Sequence, residues 1–220
     1  MLKKLFLPGV VVAAAMFAYA PFMILNAPYE STMGLVQKIF YFHVPAGMTM
    51  FLAALVSGTG SAVFLSTRKP WGDRMAVAGA ELAVMLGLIV LVTGPLWARK
   101  AWGTWWVWDP RVTSTLVMWL IFNAYLLLRR YGGPGSDRLA AAVALFGMAN
   151  VPFVYWSVNV WRTLHPKTSV VPTLPAGLRG PFWFCVVAFT LVTVLVVALR
   201  AELEKRRQEL DELYLAVEEQ

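Results

Sequence analysis

Residues 76–96 read AVAGAELAVMLGLIVLVTGPL, an apolar run in which Glu81 is the only charged side chain. About 20 apolar residues are enough for a helix to cross the hydrocarbon core of a bilayer, so this run predicts a transmembrane helix. Further runs of similar character lie at Leu5–Leu25, Val44–Ser66, Arg111–Leu128, Leu139–Val158 and Gly180–Leu199. The sequence therefore predicts an all-α, polytopic membrane protein with six transmembrane helices.

The composition agrees with this class. The 220 residues are 59% hydrophobic and 14% charged with a net charge of +7, and the mean hydropathy is +0.64, which is more apolar than an ordinary soluble domain. An excess of basic residues has a topological explanation in a membrane protein, so we do not expect nucleic acid as a partner. Cys185 is the single cysteine and no Cys-x-x-Cys pair occurs, which excludes a thioredoxin-like oxidoreductase.

The first apolar run has a competing interpretation as a cleaved signal peptide, because Ala18-Tyr19-Ala20 resembles a cleavage site. The run is longer than a signal core and continues past that site, which favours a retained span. We therefore predict a six-helix membrane domain over residues 1–200, with outer connections at residues 26–43, 98–110 and 159–179. Residues 201–220 are predicted to form a charged, helical cytoplasmic tail.

Lysine and arginine set the predicted orientation, because they concentrate on the cytoplasmic side of membrane proteins. Twelve lie on the side of the two termini: Lys3, Lys4, Arg68, Lys69, Arg74, Arg129, Arg130, Arg138, Arg200, Lys205, Arg206 and Arg207. Seven lie on the other side: Lys38, Arg99, Lys100, Arg111, Arg162, Lys167 and Arg179. Both termini are therefore predicted to be cytoplasmic in a bacterial inner membrane, and the outer connections to be periplasmic.

The connection after residue 96 is unusually aromatic. Residues 99–111 read RKAWGTWWVWDPR and place Trp102, Trp105, Trp106 and Trp108 within seven residues. Tryptophan is enriched at membrane interfaces, so a few such residues need no special function. Four in so short a stretch exceed that expectation and predict a platform for a flat conjugated ligand, with Gly103 allowing close approach.

Two acidic residues need their own explanation. Asp109 precedes Pro110 and a predicted helix, the order expected for an N-cap followed by proline at the first helical position. We interpret it as a cap that also fixes the angle between the tryptophan segment and that helix. An ionised Glu81 facing lipid would be costly, so it needs one of three explanations: it lies near the cytoplasmic end of its helix, it is protonated, or it packs against a partner. Its position favours the first.

His43 and His165 are the only histidines, and both fall in predicted outer connections next to a proline. A lone histidine at a membrane boundary is usually a solvated or hydrogen-bonded interface residue. Two on the same side could instead provide both axial ligands of a haem iron. Zinc is the alternative metal, but it usually takes three or four protein ligands and no further histidine or cysteine lies outside.

Basic residues surround the same segments. Arg99, Lys100, Arg111 and Arg162 can pair with carboxylates such as haem propionates, because a guanidinium group binds a carboxylate through two parallel donors. Ordinary anchoring at the membrane interface explains them equally well. The sequence leaves these two interpretations open.

The sequence WGTWWVWD at residues 102–109 resembles the tryptophan-rich WWD signature of haem-handling proteins in cytochrome c maturation. His43-Val44-Pro45 after Phe40-Tyr41-Phe42, and Thr163-Leu164-His165-Pro166 after Trp161, are similar to the two histidine segments that flank it. The length, the six predicted spans and the continuation WDPRVTS are most similar to the haem exporter protein C (CcmC) family of the Ccm system. In the related CcsA-type synthases an acidic residue tends to follow the basic one, whereas Val112 follows Arg111 here.

The resemblance implies a haem-binding membrane subunit that carries haem b non-covalently. It implies that His43 and His165 are the axial ligands and that Trp102, Trp105, Trp106, Trp108 and Asp109 form the platform against the porphyrin. The implied partners are the haem chaperone CcmE, the ABC-type subunits CcmA and CcmB, and the small protein CcmD. The tail over residues 201–220 lies outside the resemblance.

We therefore expect a carrier and assembly subunit, without a catalytic acid, base or nucleophile. One alternative is a b-type cytochrome subunit that passes electrons across the membrane, which would place histidine pairs at more than one depth. A second alternative, a substrate-conducting transporter, would bury polar residues along several helices. Glu81 and Asn150 are too few to mark such a path.

Overall fold

The computed structural model describes residues 2–218, and these form six long α-helices without a β-strand. The helices are α1 (Leu2–Asn26), α2 (Phe40–Thr67), α3 (Pro70–Trp102), α4 (Pro110–Tyr131), α5 (Ser136–Val160) and α6 (Ala176–Glu218). Short 3-10 helices at Leu35–Ile39 and Thr168–Val170 lie in the connections after α1 and α5. All six long helices have the length and apolar character to cross a membrane, which confirms the predicted fold class.

Three helices extend further than the apolar runs indicated. Helix α2 begins at Phe40 because the preceding 3-10 helix leads into it in helical conformation, so His43 lies within its first turn rather than before it. Helix α3 continues through Pro95 to Trp102 and ends at Gly103, whose φ of 74° is the left-handed conformation that favours glycine. Helix α6 continues into the predicted tail as far as Glu218, and residues 219–220 lie outside the described part.

The contact between α2 and α3 is built from small residues. A Cβ atom at Gly79 would lie 2.5 Å from the backbone nitrogen of Ser57, and one at Gly60 would lie 2.6 Å from the carbonyl oxygen of Gly72. The Ser57 hydroxyl also donates to the Ala76 carbonyl at 2.8 Å. The two backbones therefore touch directly, as in other tightly packed membrane helices, and this contact fixes α2 and α3 relative to each other.

The other helices complete a bundle around this pair. Helix α5 packs against α2 and α4, α4 also contacts α3, and α6 contacts both α2 and α3, whereas α1 packs mainly on α6. The largest fully buried side chains in the centre are Met50, Met118, Phe122, Tyr125 and Val154. A second apolar cluster joins the C-terminal end of α1 to α2 and α6 and includes Ile24, Tyr41, Phe182 and Cys185.

Lys38 is buried at the end of α1. Its ammonium group donates to the carbonyl oxygens of Ile24 at 2.5 Å, Leu25 at 3.0 Å and Ala27 at 2.7 Å, and it lies 4.7 Å from the centre of the Tyr29 ring. These carbonyls belong to the last turn of α1 and to the residue that follows it, where helical N–H donors run out. Only the Ile24 carbonyl among them also accepts from a backbone N–H of the described chain, that of Ala27 at 3.3 Å. Lys38 is thus a C-terminal cap that ties the first connection to α1.

Ion pairs join the opposite end of the bundle. Arg200 in α6 binds both carboxylate oxygens of Glu81, with Nη2 2.6 Å from Oε1. Arg129 in α4 lies 2.8 Å from Asp73, and Gln208 bridges Asp73 to Arg74. Of the three explanations considered for Glu81, the structure shows packing against a partner, and α6 and α4 are each held against α3 at this end.

Candidate functional site

A cavity of about 450 Å³ lies at the end of the bundle where the tryptophan segment is found. Its wall comes from helices α2 to α6, from the 3-10 helix after α1, from residues 105–107 and from the connection between α5 and α6. The volume is within the range of about 300–1,000 Å³ that is usual for ligand sites. Both histidines, three of the four tryptophans and Arg111 line it together, although they are widely separated in the sequence.

His43 is held between α2 and α3. Its Nδ1 atom lies 2.8 Å from the hydroxyl oxygen of Thr93, and its ring passes so close to α3 that a Cβ atom at Gly94 would be 3.3 Å from Cε1. Among residues 2–218, Nε2 of His43 has no hydrogen-bond partner. The second ring nitrogen is therefore the one available to a ligand of the cavity.

His165 reaches the cavity from the connection between α5 and α6. Its Nδ1 atom lies 3.0 Å from the Pro166 carbonyl oxygen, which can only accept, so Nδ1 carries the proton and Nε2 has the free lone pair. Burial lowers the pKa of His165 to about 4, and the positive charge of Arg111 acts in the same direction. The imidazole is consequently neutral at neutral pH, the form that binds a metal ion.

The four tryptophans of the segment do not share one surface. Trp102 is packed edge-on between Trp97, at 5.5 Å between ring centres, and His165, at 6.5 Å. Trp106 lines the cavity, and its buried indole N–H has no acceptor within the described part of the chain. Trp105 also lines the cavity but is 56% exposed, whereas Trp108 is 75% exposed and lies outside the wall.

Asp109 connects the tryptophan segment to His165. One carboxylate oxygen accepts from the Val112 backbone N–H at 2.9 Å, which confirms the predicted N-cap of α4. The other oxygen accepts from the Thr163 hydroxyl, and the oxygen of that hydroxyl accepts from the His165 backbone N–H at 3.0 Å. The carboxylate is therefore engaged with the protein and is not part of the cavity wall.

Of the basic residues predicted for this site, Arg111 alone lines the cavity. Its guanidinium group donates to the carbonyl oxygens of Val154 at 2.6 Å and Tyr155 at 3.1 Å. No ion pair within residues 2–218 involves it. Arg99 instead donates to the Gly103 carbonyl beside the Trp105 ring.

Arg162 and Gly103 also lie away from the cavity wall. Arg162 is exposed. Gly103 terminates α3, and a Cβ atom there would meet nothing within 4 Å. Its structural role is the left-handed turn that directs the tryptophan segment away from α3.

Comparison with known proteins assigns the family. The model of the family described as "Heme exporter protein C" (CcmC) matches residues 1–215. The match includes residues 201–215 of the tail, so the expectation that the whole tail lies outside the resemblance was wrong. The chain belongs to the haem exporter protein C family. Family members act in cytochrome c biogenesis and handle haem, and this chain is accordingly a multi-pass membrane protein of that process.

Individual relatives agree with this assignment. "Heme exporter protein C" of Bradyrhizobium diazoefficiens is 36% identical over 190 residues, which cover 82% of this chain and 72% of the relative. "Heme exporter protein C" of Escherichia coli K12 is 31% identical over 205 residues, covering 86% and 80%. A "Putative cytochrome c biosynthesis ccmC-like mitochondrial protein" of Marchantia polymorpha is 33% identical over 144 residues, covering 66% and 61%.

Several residues of the site were missed by sequence reasoning. Thr93 and Gly94 contact His43, and Trp97 lines the cavity with its indole N–H donating to Gln37 at 3.0 Å. All three belong to the part of α3 near Pro95, where the hydropathy of the run declines and the helix was expected to end. The spacing of four residues between Thr93 and Trp97 would have placed both on one helix face if the helix had been extended through the proline.

The donors of the cavity fit haem as the family's cargo. The two imidazoles would offer Nε2 to an iron atom, and Arg111 offers a positive charge with no carboxylate partner among residues 2–218. The indole N–H of Trp106 is a further donor in need of an acceptor. Mostly apolar and aromatic walls suit the porphyrin, and the charged donors suit its propionates.

Proposed function

We propose that this chain holds haem b non-covalently in the cavity and passes it to the haem chaperone CcmE. The observation that carries the proposal is that the two histidines of the chain line one cavity, each with Nδ1 hydrogen-bonded and Nε2 free. His43 and His165 are the proposed axial ligands of the iron. His43 belongs to a helix and His165 to a loop. In this proposal the loop moves with His165 when haem is transferred.

The aromatic residues and Arg111 are proposed to bind the rest of the haem molecule. Trp102, Trp105 and Trp106 provide the apolar surface, and Arg111 pairs with a propionate. Trp108 is proposed to contact the exposed edge of the haem or the chaperone, because it lies beside Trp106 with 5.5 Å between ring centres.

The remaining predicted site residues act at the margin of the cavity. Gly103 and Asp109 position the tryptophan segment, and Arg99 and Arg162 contribute a positive outer surface. In this proposal the residues that line the cavity make the contacts with haem. Substitutions there should therefore weaken haem binding more than substitutions at the margin.

The proposed setting is the bacterial inner membrane, with both termini in the cytoplasm and the cavity on the periplasmic face. The asymmetric distribution of lysine and arginine supports this orientation. The ABC-type subunits CcmA and CcmB, together with CcmD, are the proposed partners in the complex. The chain is a carrier in this scheme, because its cavity residues ligate and orient haem and none is arranged as a nucleophile with a general base.

The alternative function is a b-type electron-transfer subunit, and the positions of the two histidines argue against it. Both histidines line the same cavity at one end of the bundle. Electron transfer across the membrane would require haem ligands at a second depth, and no other histidine exists in the sequence.

The proposal is tested by purifying the protein without a histidine tag and recording its haem content and absorption spectrum. We expect the His43→Ala and His165→Ala variants to lose the six-coordinate spectrum and most of the haem. Arg111→Ala should weaken haem binding, while Arg162→Ala, which removes the same charge outside the wall, should bind haem like the wild type. Wild-type spectra for both histidine variants would refute the ligand assignment.

Orientation has a separate test. A reporter that is active only in the periplasm is fused after His165 or after Gly133. Activity after His165 is expected, and activity after Gly133 alone would show that the cavity faces the cytoplasm.

A further inference from the structure

The hydrogen bonds of Thr93 determine which ring nitrogen of His43 carries a proton. The Thr93 hydroxyl lies 2.7 Å from the Ile89 carbonyl oxygen one turn earlier in α3. A hydroxyl group has a single proton, and the carbonyl oxygen can only accept. The Thr93 oxygen is therefore left to accept at its second contact, 2.8 Å from Nδ1 of His43.

We propose that Thr93 is a positioning residue that fixes His43 in the Nδ1-protonated tautomer and turns its Nε2 atom into the iron ligand. The inference rests on the proposed function, since it assumes that His43 binds the haem iron. It goes further in assigning the choice of ligating nitrogen to a side chain on a different helix. A hydrogen bond at the second ring nitrogen sets the tautomer and orientation of a metal-binding histidine and strengthens it as a ligand.

The backbone around Thr93 supports this role. Gly94 allows the His43 ring to approach α3, because a side chain there would begin 3.3 Å from Cε1. The direct backbone contact between α2 and α3 at Gly79 and Gly60 prevents the two helices from sliding. The His43 ring is thus packed against α3 at Gly94 and hydrogen-bonded to the same helix at Thr93.

The two histidines differ in how they are held. His165 donates from Nδ1 to the carbonyl of the next residue in its own loop, Pro166. His43 donates to a side chain of α3. A substitution of Thr93 therefore alters the environment of one proposed ligand and leaves the other unchanged.

The first test uses the haem-free protein, so it is independent of haem loading. Histidine-specific ¹⁵N labelling of a tag-free protein gives only two imidazoles, and the His165→Ala variant leaves the signals of His43 alone. We expect the ¹⁵N chemical shifts to show a protonated Nδ1 and an unprotonated Nε2 in the presence of Thr93. Thr93→Val should produce a mixture of tautomers, and Thr93→Ser should restore the single form.

The matched control is Thr190→Val in α6. Thr190 makes the same bond to the carbonyl four residues earlier, at 2.8 Å, and is half-buried like Thr93. The Thr190→Val variant should leave the His43 signals unchanged. A protonated Nε2 in the protein with Thr93 intact, or identical spectra for the wild type and Thr93→Val, would overturn the proposal.

The second test measures haem affinity and the haem spectrum of the same variants. Loss of such a supporting hydrogen bond typically lowers metal affinity by about 10- to 100-fold, so we expect this loss for Thr93→Val and recovery to within a few-fold for Thr93→Ser. Wild-type affinity and spectrum for Thr93→Val would refute the role of Thr93 while His43→Ala still lost haem. Full haem binding by His43→Ala would instead refute the proposed function.

Discussion

Asp109 offers the sharpest test of how the site is assembled. Resemblance to the WWD signature places this residue against the porphyrin, whereas the structure directs its two oxygens to the Val112 N–H and to the Thr163 hydroxyl. Asp109 either contacts haem directly or supports the loop that carries His165, and these two roles predict different haem affinities for Thr163→Val. That substitution removes the Thr163 hydroxyl, which bonds to both Asp109 and the His165 backbone N–H, and leaves the carboxylate and the helix cap intact.

The expected magnitude follows from the number and type of bonds. Loss of an N-cap costs about 0.5–2 kcal/mol, and a hydrogen bond to a charged group contributes about 1.5–3 kcal/mol. Because Asp109 and Thr163 are only half-buried, solvent screening reduces the second value, and we expect about 1–2 kcal/mol. If haem binding must supply this free energy to order the loop, the affinity falls by about 5- to 30-fold.

Haem titration of Thr163→Val and Asp109→Ala provides the assay, with thermal unfolding of the haem-free proteins measured in parallel. Both variants should lose haem affinity to a similar extent, and Asp109→Ala should also unfold at a lower temperature because it removes the cap. The double variant should bind haem no more weakly than Thr163→Val, because Asp109 reaches His165 only through the Thr163 hydroxyl. Normal haem affinity in Thr163→Val, with a loss in Asp109→Ala, would refute the loop mechanism and indicate direct contact.

The fold class followed from hydropathy because each span is a continuous apolar run, a signal that needs no tertiary information. Helix ends were predicted less well. At Pro95 the expected end was six residues early, because a proline inside a helix removes one hydrogen bond but does not end the helix when packing supports the next turn. Because the helix was expected to end at residue 96, Trp97 was not assigned to it, and Thr93 was not recognised as part of the site.

Side-chain partners across helices could not be predicted from the sequence. The sequence identifies Lys38 only as a basic residue of an outer connection, yet its ammonium group is buried against the end of α1. Glu81 is predicted to lie near the cytoplasmic end of its helix, but the sequence does not identify its partner Arg200, which is far away in the chain. Such pairings depend on the order of helices in the bundle, which local patterns do not determine.

Two further predictions concern stability. Gly79→Ala should lower the unfolding temperature strongly, because its Cβ atom would lie 2.5 Å from a backbone nitrogen of α2, whereas Gly180→Ala, with nothing within 4 Å, should not. Lys38→Met keeps most of the side-chain length but leaves the Leu25 and Ala27 carbonyls without a donor among residues 2–218. We expect a cost of about 1–3 kcal/mol for an unsatisfied buried group. Thermal unfolding should therefore show a lower transition temperature for Lys38→Met than for Lys100→Met, since Lys100 is exposed. Equal transition temperatures would show that water replaces the ammonium group at the end of α1 and that Lys38 is not needed as a cap.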